Sequence, residues 1–186
     1  MINGNTDGIK DYILKELDSL HDIRVTKSKL IEEEMLILIA DISSRINREI
    51  NIAIDRKGNV VEISIGDSGS VELPIMDIKE RRLSGIRVIH THPSGRSKLS
   101  NIDISALVKL KLDCIAAVGI TEDKITGVSI GFCNVENNNL TYEISGPLGI
   151  KEALDYDILN RIEIIENLLR TREIVEDDKE YAILVG

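Results

Sequence analysis

Aromatic residues make up only 3% of this 186-residue chain, and tryptophan is absent. Ile, Leu and Val must therefore fill the core, and a base-stacking platform, which needs exposed rings, is hard to build. Positive charge is also scarce. A formal net charge of -9 tells against a free-standing nucleic-acid binder, which needs a concentrated basic surface, so direct DNA binding is not expected. The one locally basic stretch, KERRLSGIR at 79–87 with Arg96 and Lys98 nearby, reads as solvated surface. The two cysteines make no disulfide framework and no C-x-x-C pair. Cys114, inside the apolar run CIAAVGI, is expected in the core. No apolar run approaches the roughly 18 residues of a membrane span, and MINGNTDGIK lacks the apolar stretch of a signal peptide. A reducing, cytoplasmic setting is the expectation.

What is present is a globular composition, 42% apolar, with clear periodicities. Ile9, Ile13, Leu17 and Leu20 predict a first helix, with Asn5, Thr6 or Asp7 as its cap. A second is predicted from about Ser28 to Ile46, with Ile31, Met35, Ile39, Ile42 and Ile46 in one stripe. The period then becomes two. In EINIAID, Ile50, Ile52 and Ile54 share one face of a strand and Glu49, Asn51 and Ala53 the other. NVVEISIG reads as its hairpin partner across the turn RKG, SVELP as a short edge strand, and IRVIHTH as a strand stopped by Pro93. A helix begins near Ser100, carrying Ile104, Leu107 and Val108 inward. CIAAVGI, KITGVSIGF and LTYEIS follow as three strands. From Gly149 to Ile174 a single long helix is expected, with Leu154, Ile158, Ile162, Ile165 and Leu169 inward; YAILVG reads as a strand just begun. The fold class is α/β, a mixed α+β sheet with flanking helices.

Two of the three histidines stand in VIHTHPSGRSKLSNID, residues 88–103. In a strand His90 and His92 face one side and Thr91 the other. Ser100 can cap the following helix, and Asp103 projects from its first turn. Capping alone explains Ser100 and Asp103. It does not explain His-x-His. Two imidazoles, a carboxylate and a hydroxyl brought together would make a zinc shell with one position open for water, and Ser100 could then hydrogen-bond a developing oxyanion. The remaining histidine, His21, is expected on the surface, which leaves Asp103 as the nearest third ligand.

His90-Thr91-His92-Pro93, six residues, Ser100, two residues, Asp103 resembles the H-x-H-P-x6-S-x2-D signature of the JAMM (MPN-type) metalloproteases. The resemblance implies a cytidine-deaminase-like sheet flanked by helices, zinc on His90, His92 and Asp103, and Ser100 assisting the tetrahedral intermediate. It also implies a glutamate base at the start of an earlier strand; Glu49 is the choice, with Glu62 and Glu72 as substitutes. HTHPSG is similar to the RadC family as well. Over more of the chain, NGNTDGI, REINIAIDRKGNVVEISIGD, RRLSGIRVIHTHP, LSNIDISALVKLKLDCIAAVGI and YAILVG resemble the N-terminal extension of some bacterial HflX GTPases. That likeness implies a metalloprotease-like domain over 1–148, a linker helix and the start of the HflX region over 149–186, and a parent that binds GTP and acts at ribosomes. No G-x-x-x-x-G-K-[ST] occurs here, so no nucleotide site is expected in this chain. The implied partners are the parent's own GTPase domain, the ribosome through that parent, and an unidentified peptide substrate.

Overall fold

A computed structural model describes residues 2–66, 85–122 and 124–171. The expected strand SVELP, Glu72, most of KERRLSGIR and the closing YAILVG lie outside the described residues.

The described residues form one seven-stranded mixed sheet in the order β1-β3-β2-β4-β5-β6-β7. The strands are β1 (Ile2–Gly4), β2 (Ile50–Asp55), β3 (Val60–Ile65), β4 (Ile86–His92), β5 (Cys114–Thr121), β6 (Lys124–Glu136) and β7 (Asn139–Leu148). The hairpin of β2 and β3 is antiparallel, as the RKG turn suggested, and β2 also pairs antiparallel with β4. Strands β4 and β5 are parallel and need a crossover, which α3 (Asn101–Leu110) supplies. The remaining α-helices among the described residues are α1 (Asp11–Asp18), α2 (Glu33–Ile46), α4 (Ile150–Asp155) and α5 (Ile158–Thr171), and a 3-10 turn at Ser19–Asp22 follows α1. Among the described residues, no helix is long and apolar enough to cross a membrane.

Strand parity sorts the two faces. Ile50, Ile52, Ile54, Ile63, Ile65, Ile89, Ala116, Val118, Ile130 and Phe132 join the buried residues of α1, α2 and α4 in the larger core. Val88, Ile115 and Cys133 on the other face join Leu107 and Val108 of α3 in a smaller one. Cys114 is fully buried, and burial pushes its thiol up to about 12.

Three helix boundaries differ from the sequence expectation, each because a polar group is engaged elsewhere. Asn5, Thr6 and Asp7 do not cap α1, which starts after Lys10 without a side-chain cap. Asn5 Oδ1 accepts the Asp7 N–H (3.2 Å), and the Arg48 guanidinium binds the carbonyls of Asn5 (2.8 Å) and Asp7 (2.9 Å). Helix α2 begins at Glu33 and not near Ser28, because the Glu32 carboxylate closes a loop by accepting the N–H (2.8 Å) and hydroxyl (2.7 Å) of Thr26. The long C-terminal helix is two helices. Ile158 gives its N–H to Ser28 O (3.0 Å), so the ladder breaks there, and Asp157 Oδ1 accepts from Asn160 N at the new start. Ala153, Ile158 and Ile162 then enter the larger core and Ile165 the smaller, while Leu169 is exposed. The strand β1, beside β3, was not anticipated.

Candidate metal centre

Strand register builds the site. Asn51 stands opposite His90 across the antiparallel β2–β4 pair, which sets Glu49, two residues back, beside His92. His92 Nε2 lies 3.9 Å from Glu49 Oε1. The two imidazoles share a face, as alternation requires, with ring centroids 4.7 Å apart. Thr91 faces the other way and is fully buried.

The turn after β4 fixes His92. Gly95 takes a positive φ of 82° and returns its N–H to His92 O (3.1 Å). The loop that follows lies on β5 at Gly119, where a Cβ would come within 2.7 Å of Gly95 O and 2.8 Å of Ser97 N. Only glycine admits so close an approach. Gly119 is also the β5 residue beside His92. So placed, Arg96 O sits 2.7 Å from His92 Nδ1. A carbonyl can only accept, so Nδ1 carries the proton and Nε2 presents its lone pair to the cluster. Burial first, and then the neighbouring His90, hold His92 below the ordinary histidine value, which keeps that lone pair available.

Helix α3 delivers the carboxylate. Ser100 and Asp103 form a capping box: Ser100 N–H (2.6 Å) and Oγ–H (2.7 Å) donate to Asp103 Oδ2, and Asp103 N–H returns to Ser100 Oγ (3.2 Å). Oδ2 is thus occupied by the cap. Oδ1 faces His90 Nε2 at 3.5 Å. Burial works to raise Asp103, but His90 beside it and the Ser100 hydrogen bonds outweigh this and hold the carboxyl at about 2. It is ionised at any physiological pH.

Glu49 is placed from behind. Helix α2 ends at Asn47 in the left-handed conformation (φ 52°), with Arg48 N–H returning to Ser43 O (3.3 Å). Ser43 Oγ–H donates to Arg48 O (2.7 Å), Thr91 Oγ–H to Ser43 Oγ (2.7 Å), and Ile50 N–H to Thr91 Oγ1 (2.8 Å). The backbone is therefore pinned on both sides of Glu49. Sequence reasoning missed Thr91 and Ser43 because this hydroxyl relay depends on tertiary contact between α2 and β4.

Ligand atoms of His90, His92 and Asp103 all lie within 4.8 Å of one another, a group able to hold a metal ion. Around a tetrahedral ion such as zinc, ligand atoms stand roughly 3.4 Å apart, close to the 3.5 Å between His90 Nε2 and Asp103 Oδ1. Both ring nitrogens of His90 are buried without a hydrogen-bond partner. Such a group is costly unless something binds it. The donor set fits a cation: two imidazole nitrogens and one carboxylate oxygen, with the second carboxylate oxygen and the second nitrogen of His92 already held.

The other sequence candidates stand apart. His21, expected on the surface, is partly buried with its side chain 25% exposed, Nδ1 lying 3.0 Å from Val60 O and Nε2 3.8 Å from Asp18 Oδ1. Glu62 is buried on β3 opposite Ala53, and it accepts from Asn3 Nδ2 at 3.2 Å. Compared with known protein families, with curated proteins and with solved structures, the chain matched none.

Proposed function

We propose that this chain is a zinc-dependent hydrolase domain of the JAMM type, acting on a peptide or isopeptide bond as part of a ribosome-associated, HflX-type GTP-binding protein. The observation that carries the chemistry is the pairing of Glu49 with His92, 3.9 Å apart, beside a His90–His92–Asp103 cluster. The parent and its partners rest on the sequence resemblance. When bound, zinc supplies Lewis acidity, making water a nucleophile at neutral pH and polarising a carbonyl oxygen.

The chain's own residues take defined parts. His90 Nε2, His92 Nε2 and Asp103 Oδ1 hold the ion. Glu49, partly exposed beside His92, accepts the proton of the attacking water and returns it to the leaving amine. Ser100 is exposed and its hydroxyl can turn from Asp103 Oδ2 toward a developing oxyanion. Asp103 keeps the Ser100 N–H bond during that turn.

A second reading keeps the ion and omits turnover, making the domain a docking or regulatory module of the GTPase. The commitment of the Ser100 hydroxyl to Asp103 at 2.7 Å favours it. Glu49→Gln separates the two. In zinc-loaded protein offered a library of peptide and isopeptide substrates, the variant should keep its zinc and lose about 100-fold or more in rate. Undiminished turnover would remove Glu49 from the base role. Zinc without turnover in the unsubstituted protein would leave the docking module.

A further inference from the structure

His92 has its tautomer set by Arg96 O; His90 has no such acceptor in place. The residue opposite His90 on β2 is Asn51, and the residue opposite Asn51 on β3 is Ser64. All three lie on one face, in one row across the sheet. Directly opposed residues in antiparallel pairs bring their Cβ atoms to about 4.5–5.5 Å. Each is buried: His90 is 3% exposed, Asn51 1% and Ser64 5%. Each also carries orphaned polar atoms, namely both His90 ring nitrogens, Asn51 Oδ1 and Nδ2, and Ser64 Oγ.

Asparagine is disfavoured in strand interiors, and two residues further on the same face is filled by Ala53. A buried amide with neither end satisfied costs stability with nothing in return. Two hydrogen bonds would satisfy four of the five orphaned atoms. The fifth, His90 Nε2, is the one facing Asp103.

We infer that Asn51 is a positioning residue for His90: in the metal-loaded protein its Oδ1 accepts the His90 Nδ1–H and its Nδ2 donates to Ser64 Oγ, neither bond being made in the structure described above. The amide thereby fixes the tautomer that leaves Nε2 as a lone pair directed at the cluster. His90 and His92 are then oriented by the same logic from opposite sides, one by a neighbouring strand and the other by a loop carbonyl. Outer partners of this kind orient a ligand and raise its basicity. This inference rests on the metal-binding reading above.

The test is zinc affinity, measured by competition with a chromophoric chelator, for the unsubstituted protein, Asn51→Leu and Asn51→Asp, with thermal unfolding of each metal-free protein to establish folding. Asn51→Leu, of similar size without an acceptor, should bind zinc about 10–100-fold more weakly. Asn51→Asp keeps the acceptor and should bind at least as tightly as the unsubstituted protein. Ring 15N NMR of the zinc-loaded unsubstituted protein gives a readout that needs no variant. It should show His90 coordinated through Nε2, with an Nδ1 proton protected from solvent exchange. Coordination through Nδ1, or a freely exchanging Nδ1 proton, overturns the inference. Equal affinity in the unsubstituted and Asn51→Leu proteins overturns it while leaving the metal centre intact. No zinc binding by the unsubstituted protein removes the metal centre and the inference together.

Discussion

Thr91 and His90 are neighbours on β4, equally buried, and opposite in condition. Thr91 faces the isoleucine side of the sheet, where its hydroxyl both donates and accepts at 2.7 and 2.8 Å. His90 faces the other side, where neither ring nitrogen has a hydrogen-bond partner. The Thr91 side is finished at that position by the chain itself. The row of His90, Asn51 and Ser64 on the other side holds five buried polar atoms without a hydrogen-bond partner, beside the first turn of α3. A buried group satisfied from within contributes to stability, whereas one left open invites a ligand.

Substitutions on the two faces should therefore part company. The largest cost is expected on the finished side. Ile52→Ala empties a fully buried site in the larger core and should lower unfolding free energy by about 2–5 kcal/mol in denaturant titration. Thr91→Val keeps the shape but leaves the Ile50 N–H without its acceptor and removes the donor to Ser43 Oγ, and should cost about 1–3 kcal/mol. If it costs nothing, the hydroxyl relay does not hold the strand start at Glu49. His90→Leu, judged on metal-free protein, should stay within about 1 kcal/mol of the unsubstituted chain, because it replaces an unsatisfied group with an apolar one. A loss as large as that of Ile52→Ala would mean that His90 is a structural residue.

The smallest effect on metal affinity is expected at Gly119. A Cβ there would meet Gly95 O at 2.7 Å and Ser97 N at 2.8 Å, lifting the loop and drawing Arg96 O away from His92. Gly119→Ala should weaken metal binding about 10-fold, in the range of lost outer-shell contacts. Unchanged affinity would show that the Arg96 carbonyl does not orient His92.

The contrast also explains what the sequence disclosed. IRVIHTH and its proline stop, the Ser100–Asp103 capping box and the alternation of EINIAID depend on local periodicity and local hydrogen bonds, and each appears where expected. So does the mixed sheet with flanking helices. The parts that were not legible depend on register or on distant partners. Asn51 looked like one more polar strand residue until β2 was paired with β4. Glu49 could be placed beside His92 only through the same pairing. The break between α4 and α5 follows from a carbonyl of Ser28, some 130 residues earlier in the chain, and no helical periodicity reports such a bond.

The most direct test of the metal centre is zinc stoichiometry by elemental analysis, on protein purified without an affinity metal or chelator and then offered zinc at neutral pH. At that pH Asp103 is ionised and His92, held below its ordinary value, is neutral. About one zinc per chain is expected, released by chelator and absent from folded His90→Leu. Zinc bound equally by His90→Leu, or none bound by the unsubstituted protein, would contradict the assignment of His90, His92 and Asp103 as a metal centre.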